Sequence, residues 1–195
     1  MASGNAGKLR EFSRLLNPLG LTLRPQKEWS FEEAIEDGLT FIENALIKAR
    51  HAAKHTGLPA LADDSGLVVD ALDGRPGIFS ARFSGENADS FSNNQKLLDS
   101  MKDIPGDSRS AHFYCALALM RHAADPSPII ATGAWFGLIT RKASGEHGFG
   151  YDPLFWVPEH ECTSAQLDPD VKNRFSHRGQ AMKSLVQQLR QEKFE

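Results

Sequence analysis

The chain has 195 residues, of which 41% are hydrophobic and 24% are charged, and its formal net charge is −3. These values describe a soluble globular protein of ordinary domain size, and they leave no basic footprint for duplex nucleic acid. Its two cysteines make no disulfide framework, which favours a reducing compartment. The sequence contains neither an apolar run of membrane-spanning length nor a signal peptide. We therefore expect one cytoplasmic domain, residues 1–195, that binds neither nucleic acid nor membranes.

The first recognisable element is a loop of small residues, 3–8, that leads into a helix with apolar residues at helical spacing. A glycine-rich loop before a helix can bind an anion through its backbone N–H groups, and Lys8 adds a positive charge. The loop is not a P-loop, because Leu9 stands where Ser or Thr would hold Mg²⁺. A plain turn before a helix is the alternative.

The second helix is predicted from a capping box at residues 40–43 to about Thr56, where Gly57 follows. Four of its polar side chains share one face at spacings of four, three and four residues: Asn44, Lys48, His51 and His55. Lys48 can then lie near the carboxylates of the next segment, although a solvated lysine is the alternative. The two histidines are interpreted as surface residues, since no acidic or cysteine partner accompanies them.

Two adjacent carboxylates, Asp63 and Asp64, stand between an apolar segment that ends at residue 62 and another at 67–72. This pattern predicts a buried strand that ends in a turn, with both carboxylates at its rim. Neighbouring carboxylates repel each other, and a cation that prefers oxygen ligands, such as Mg²⁺, relieves the repulsion. Glu36 lies on a loop that can bend back toward Asp64. An ordinary solvated turn is the alternative.

The middle of the chain predicts an amphipathic helix around 94–101 and a long antiparallel strand pair at 111–120 and 129–141. In the following glycine-rich loop, Phe149 and Tyr151 alternate with glycines, so their rings stand on a closely approachable backbone. Such rings suit stacking on a planar base. For at least one ring, anchoring of the next strand in the core is the alternative.

The last helix is predicted to begin after Ser176, which is a good N-cap residue. His177 and Arg178 then occupy its first turn, where positive charge opposes the helix dipole. A bound anion or a ligand rich in hydrogen-bond acceptors would relieve this conflict.

Six segments in this order resemble the inosine/xanthosine triphosphate pyrophosphatase family, in particular its bacterial dITP/XTP members. They are 3–8, 40–49, 62–67, 76–82, 148–153 and 176–179. The resemblance implies an α/β fold, with a long mixed β-sheet flanked by helices and two lobes around a central nucleotide cleft. It also implies Mg²⁺, a homodimer, and hydrolysis of ITP, dITP or XTP to the monophosphate and pyrophosphate.

The resemblance also implies a role for individual residues. Asp64 is the general base and a metal ligand, Glu36 is the second metal ligand, Asp63 supports them, and Lys48 adds positive charge. The triphosphate is wrapped by Ser3, Gly4, Asn5, Ala6, Gly7 and Lys8. Ser65 lies beside the substrate, and the base is surrounded by Phe149, Gly150, Tyr151, Asp152, Lys172, His177 and Arg178. Only two residues precede Ser3, where the family has several strand residues. A shortened strand before the phosphate loop is expected if the chain begins here, and a misassigned start is the alternative.

These roles give a mechanistic hypothesis in which Asp64 deprotonates a water that attacks phosphorus, while Lys8 and Lys48 stabilise the pyrophosphate leaving group. Donors on His177 and Arg178 would favour a keto oxygen at C6 over the amino group of adenine. Two alternatives remain open. One is a related pyrophosphatase for other modified nucleotides, and the other is a nucleotide-binding protein without catalysis.

Overall fold

The computed structural model describes residues 12–13 and 16–191. The predicted phosphate loop, with Ser3, Gly4, Asn5, Ala6, Gly7 and Lys8, and the strand expected before it lie outside the described residues.

The fold is α/β, as predicted. The helices described are α1 (Phe41–Thr56), α2 (Ser90–Ser100), α3 (Pro169–Phe175) and α4 (His177–Gln191). The strands are β1 (Ala60–Val69), β2 (Ser110–Met120), β3 (Ile129–Ile139), β4 (Phe155–Val157) and β5 (Cys162–Thr163). They form one sheet in the order β1-β2-β3-β4-β5, and β4 pairs antiparallel with both neighbours. Of the helices in the described part of the chain, none combines the length and the apolar character needed to cross a membrane.

Helix α1 has the boundaries that its capping residues predict. The Thr40 hydroxyl accepts a hydrogen bond from the Glu43 N–H, and the Glu43 carboxylate accepts one from the Thr40 hydroxyl. At the other end Gly57 adopts a left-handed conformation with φ of 67°, which closes the helix with a hydrogen bond to the Ala53 carbonyl. The predicted helix around 94–101 and the two long strands are also present, as α2, β2 and β3.

The predicted turn after Asp64 is wrong, because β1 runs without interruption through the two carboxylates. Asp63 is buried, Asp64 is paired with a lysine, and Leu67 donates its N–H to the Ser80 hydroxyl at 2.9 Å. Since these partners offset the charge of Asp64 and satisfy the backbone, the polar residues can stay within a strand. The second apolar segment ends as a strand at Val69 and continues as a 3₁₀ turn.

The chain divides into two compact units, each with its own apolar core. The first contains residues up to Asp64, Cys115–Gly133 and residues from Gln180 on, and the second contains Ser65–Tyr114 and Ala134–Gly179. In the first, α4 packs through Ala181, Leu185 and Leu189, as its pattern predicts; the core of the second includes Leu67, Leu97, Leu154 and Phe155. The division into two units is consistent with the two lobes that the family resemblance implies. The nucleotide cleft stays a prediction.

Candidate active site

The first candidate site lies in the first unit and consists of one lysine held between two carboxylates. Lys48 donates from Nζ to Asp64 Oδ1 at 2.9 Å and to Glu36 Oε2 at 3.1 Å. The side chains of Lys48 and Asp64 are largely withdrawn from solvent, with 17% and 13% of their surfaces exposed. We call Glu36, Lys48 and Asp64 the acid–lysine cluster. The loop carrying Glu36 does bend back toward Asp64, as expected.

Helix α1 positions this cluster through the face that its sequence pattern indicates. One turn before Lys48, the Asn44 side-chain oxygen accepts a hydrogen bond from the Gly38 N–H at 2.9 Å. The next amide, that of Leu39, donates to the Glu43 carboxylate at 2.8 Å. A Cβ on residue 38 would lie 2.7 Å from the Asn44 side-chain oxygen, so only glycine allows this close approach. The end of the loop is therefore fixed two residues from Glu36.

The charges of the cluster do not balance, since two carboxylates share a single ammonium group. Burial raises the pKa of the Asp64 carboxyl above its ordinary value, and the charge of Lys48 only partly offsets this. Burial alone would lower the pKa of Lys48, but the two carboxylates outweigh burial and the pKa rises. Lys48 therefore stays charged, while Asp64 holds a proton more readily than an ordinary aspartate.

The second carboxylate oxygen of Asp64, Oδ2, is buried and has no hydrogen-bond partner. A buried, unsatisfied acceptor is costly, so this oxygen is suited to a water proton or a cation. Among the described residues, no three His, Cys, Asp or Glu side chains are grouped as a metal cage. Two carboxylates nevertheless fit Mg²⁺, which commonly takes one or two protein carboxylates and completes its shell with substrate phosphates and water.

The second candidate site lies in the second unit and is built around an exposed aromatic ring. Phe149 is 54% exposed. The Lys172 Nζ lies 5.3 Å from the centre of its ring, and the Arg178 Cζ lies 4.9 Å from it. We call Phe149, Lys172 and Arg178 the aromatic platform. It combines a π-surface with cationic hydrogen-bond donors, which is a suitable combination for a planar, acceptor-rich ligand.

Asp152 organises the loop that carries the platform. Its Oδ2 accepts a hydrogen bond from the Phe149 N–H at 2.8 Å and pairs with Lys172, while its Oδ1 accepts from the Ser164 hydroxyl at 2.8 Å. Gly148 has φ of 79°, and a Cβ there would lie 2.1 Å from Asp152 Oδ2. Asp152 is buried, and both of its carboxylate oxygens are occupied by these partners. We therefore infer that it supports the aromatic platform.

Two predicted base-binding rings are buried instead of exposed. Tyr151 is 4% exposed and donates its hydroxyl hydrogen to the Ser80 carbonyl at 2.9 Å, and burial raises the pKa of its phenol. For Tyr151 the structure therefore supports the alternative of anchoring in the core. His177 is also buried, and its ring stacks on Phe113 with the ring centres 4.9 Å apart.

The start of α4 follows the prediction, because the Ser176 hydroxyl accepts a hydrogen bond from the Gly179 N–H at 3.2 Å. Among the polar atoms of the second unit that are buried without a hydrogen-bond partner are Arg178 Nε and the hydroxyl oxygen of Ser65. Both belong to predicted substrate-binding residues, and both are available for ligand contacts.

Sequence reasoning missed the residues that hold the peptide of Gly150. The Asn94 side chain donates to the Gly150 carbonyl at 3.0 Å, and the Gly150 N–H donates to the Ser90 hydroxyl at 3.2 Å. Both side chains belong to α2, more than fifty residues away in the sequence. No local pattern connects positions so far apart, so the sequence offers no signal for them.

Comparison with known proteins decides the family. A model described as the Ham1 family matches residues 1–188 of the chain. The chain belongs to the Ham1 family. It is 56% identical over 190 residues to a dITP/XTP pyrophosphatase of Salmonella typhimurium, a match that covers 97% of this chain and 96% of the relative. The resemblance inferred from the six segments is thereby confirmed.

Solved structures of the Ham1 family have the same fold. A HAM1 protein from Coxiella burnetii is similar with a TM-score of 0.94 and 50% identity, covering 97% of this chain and 96% of that one. The Ham1 protein of Staphylococcus aureus is similar with a TM-score of 0.90 and 38% identity, covering 98% and 97%.

Proposed function

We propose that this member of the Ham1 family hydrolyses non-standard purine nucleoside triphosphates, namely ITP, dITP and XTP, to the monophosphate and pyrophosphate. The name of the Salmonella relative, 56% identical over nearly its whole length, supports this substrate class. The observation that carries the chemistry is the buried, unpaired Oδ2 of Asp64 beside Lys48. Simple nucleotide binding would not need a carboxylate in this state.

In the proposed reaction Asp64 accepts a proton from the attacking water. The water oxygen bonds to the α-phosphorus, the bond from that phosphorus to the bridging oxygen breaks, and pyrophosphate leaves. Burial raises the pKa of Asp64, which strengthens it as a base. Lys48 is held between the two carboxylates and contributes a fixed positive charge toward the leaving group.

We further propose that the reaction requires Mg²⁺, with Asp64 and Glu36 as its protein ligands. When bound, Mg²⁺ supplies positive charge that offsets the phosphate oxygens. The excess negative charge of the acid–lysine cluster and the free Asp64 Oδ2 support this choice. Lys48 keeps both carboxylates in place before the metal binds.

The aromatic platform is assigned to the purine base, and residues 3–8 to the triphosphate. Stacking on Phe149 accepts any purine, so selection must come from hydrogen bonding at the base edge. The donors of Arg178 match the keto oxygen at C6 of hypoxanthine and xanthine, whereas the amino group of adenine would face donor against donor. His177, the first residue of α4, is buried, and we assign it to the same edge of the base. We also propose a cytoplasmic homodimer that binds no nucleic acid.

The products of a single reaction test this function. The protein is incubated with ITP and Mg²⁺ in ¹⁸O-labelled water, and the products are identified by phosphorus NMR and mass spectrometry. The expected products are labelled IMP and unlabelled pyrophosphate. Release of IDP and orthophosphate would overturn the proposed bond cleavage, and binding without any product would indicate a nucleotide-binding protein. Hydrolysis of other modified nucleotides in place of ITP would indicate the related pyrophosphatase.

A further inference from the structure

The segment of residues 31–38 lies along one face of α1, and the two run in opposite directions. The Phe31 ring stacks on the His55 ring with their centres 4.8 Å apart, and the Glu32 carbonyl contacts His51 Nε2 at 2.7 Å. Further along, Glu36 contacts Lys48 and Gly38 contacts Asn44. Residues later in the segment contact residues earlier in α1, so the segment contacts the polar face of the helix along its length.

These contacts matter because residues 31–38 form neither helix nor strand. A segment without regular backbone pairing depends on side chains to fix its path. Asn44 fixes it after Glu36, at Gly38. Before Glu36, the corresponding contact is the one between His51 and the Glu32 carbonyl. Glu36 thus lies between two positions of the segment, Glu32 and Gly38, that are both held by side chains of α1.

The chemistry of His51 defines its part in this contact. A backbone carbonyl can only accept a hydrogen bond, so the His51 Nε2 must carry the hydrogen and donate it. The ring is also held in place by its neighbours, with its centre 5.5 Å from that of Phe31 and 4.4 Å from that of His55. These ring contacts hold His51 with its Nε2 directed at the Glu32 carbonyl.

We propose that His51 is a positioning residue for Glu36. By holding the Glu32 carbonyl it fixes the segment so that the Glu36 carboxylate meets Lys48 and is ready to bind Mg²⁺. This role rests on the proposed function, because it concerns the metal-binding side of the acid–lysine cluster. It differs from a general structural role, since its loss should weaken Mg²⁺ binding more than it affects the fold.

Three variants separate these roles. His51→Phe keeps a flat ring against Phe31 and His55 but removes the donor, and His51→Ala removes both. His51→Gln keeps a donor that can reach the Glu32 carbonyl. The matched control is His112→Phe, which replaces a half-buried histidine in β2 whose ring contacts Phe136 at 5.1 Å.

The first measurement is hydrogen–deuterium exchange of the protein without metal or nucleotide. We expect the amides of Gly38 and Leu39, whose hydrogen bonds to Asn44 and Glu43 hold the end of the segment, to exchange about 3–10-fold faster in His51→Phe and His51→Ala, as the loss of one neutral hydrogen bond allows. His51→Gln should restore slow exchange, and His112→Phe should leave this segment unchanged. Equal exchange in wild type and His51→Phe would overturn the proposal.

The second measurement is the Mg²⁺ concentration that gives half-maximal pyrophosphate release from saturating ITP. It should rise about 3–10-fold in His51→Phe, with kcat at saturating Mg²⁺ within about twofold of wild type. Loss of kcat without a change in the Mg²⁺ requirement would also contradict a positioning role. If wild type itself shows no Mg²⁺-dependent release, the proposed function fails, and the exchange measurement alone decides whether His51 fixes the segment.

Discussion

Asp64 is the residue on which the chemistry of the acid–lysine cluster depends. One of its oxygens is paired with Lys48 and the other is buried without a partner. We expect Asp64→Asn to lower kcat by about 10²–10⁴-fold, because the amide keeps the shape but cannot take a proton. Steady-state kinetics with ITP measure this effect, and Asp70→Asn, at an exposed position shortly after β1, is the matched control. Turnover at the wild-type rate in Asp64→Asn would exclude the assignment.

Arg178 is the residue we expect to read the edge of the base. Its Nε is buried without a hydrogen-bond partner, and its guanidinium lies against the Phe149 ring. Arg178→Ala should reduce the ratio of kcat/KM for ITP over ATP, because the donors that reject an amino group at C6 are removed. A site built for a hydrogen bond can discriminate by up to about 10⁴–10⁵-fold, so the loss can be large.

The control for this prediction is Arg174→Ala, which removes an exposed arginine from the preceding helix. It should leave the ratio unchanged. An unaltered preference for ITP in Arg178→Ala would mean that another group selects the base.

At the scale of elements, the capping residues and apolar spacing of α1 predicted its length and its polar face, because those signals are local. The same reasoning failed at β1. Two adjacent carboxylates resemble a turn until one knows that Lys48, sixteen residues earlier, reaches Asp64. Helix α3 was also missed, although Asp168 caps it by accepting hydrogen bonds from the Asp170 and Val171 N–H groups. Features that depend on contacts between distant segments of the chain, such as the one between Lys48 and Asp64, have no local signal in the sequence.

The turn between β2 and β3 is stabilised by a buried carboxylate. Asp125 accepts hydrogen bonds from the backbone and guanidinium of Arg121 and from the Ser127 N–H. The hydrogen bonds from Arg121 hold the pKa of Asp125 well below its ordinary value. Asp125→Asn should therefore lower the free energy of unfolding at pH 7 by about 1–3 kcal/mol.

The sign of the pH dependence follows from the lowered pKa. The ionised Asp125 stabilises the folded state above the pKa of an unfolded aspartate, which is about 4, and this contribution is lost as the pH falls toward the folded pKa. The difference between wild type and Asp125→Asn should therefore shrink below about pH 4. Urea denaturation at pH 7 and pH 3 measures it, with the exposed Asp103→Asn as control. A constant difference would show that the carboxylate charge is not responsible.

At the scale of the whole molecule, we propose that residues 1–195 fold as a single domain despite the two compact units. Strands β1, β2 and β3 each contribute residues to both units, so neither core forms without the same three strands. We expect one cooperative unfolding transition. In Trp29→Phe the remaining tryptophans, Trp135 and Trp156, report on the second unit alone. Their fluorescence should give the same urea midpoint as circular dichroism of the whole chain, and two separate midpoints would indicate two domains.

The candidate sites were predictable from the sequence in unequal measure. Lys48 and Asp64 lie in two of the short segments that carry the family resemblance, and Glu36 was placed near Asp64 on a loop that can bend back. In the structure Lys48 contacts both carboxylates directly. The aromatic loop was predicted as well, but Phe149 is exposed and Tyr151 is buried. Alternation with glycine does not show which of the two rings is exposed. Ser90 and Asn94 were not predicted, because they hydrogen-bond to Gly150, which is distant in the sequence.

The most direct test of the central claim is pyrophosphate release from ITP, XTP, GTP and ATP, each measured with and without Mg²⁺. We predict strong, Mg²⁺-dependent release from ITP and XTP and far weaker release from GTP and ATP. Equal release from all four nucleotides would contradict selection of non-standard purines. Binding of ITP without release, with Mg²⁺ present, would contradict catalysis by the acid–lysine cluster.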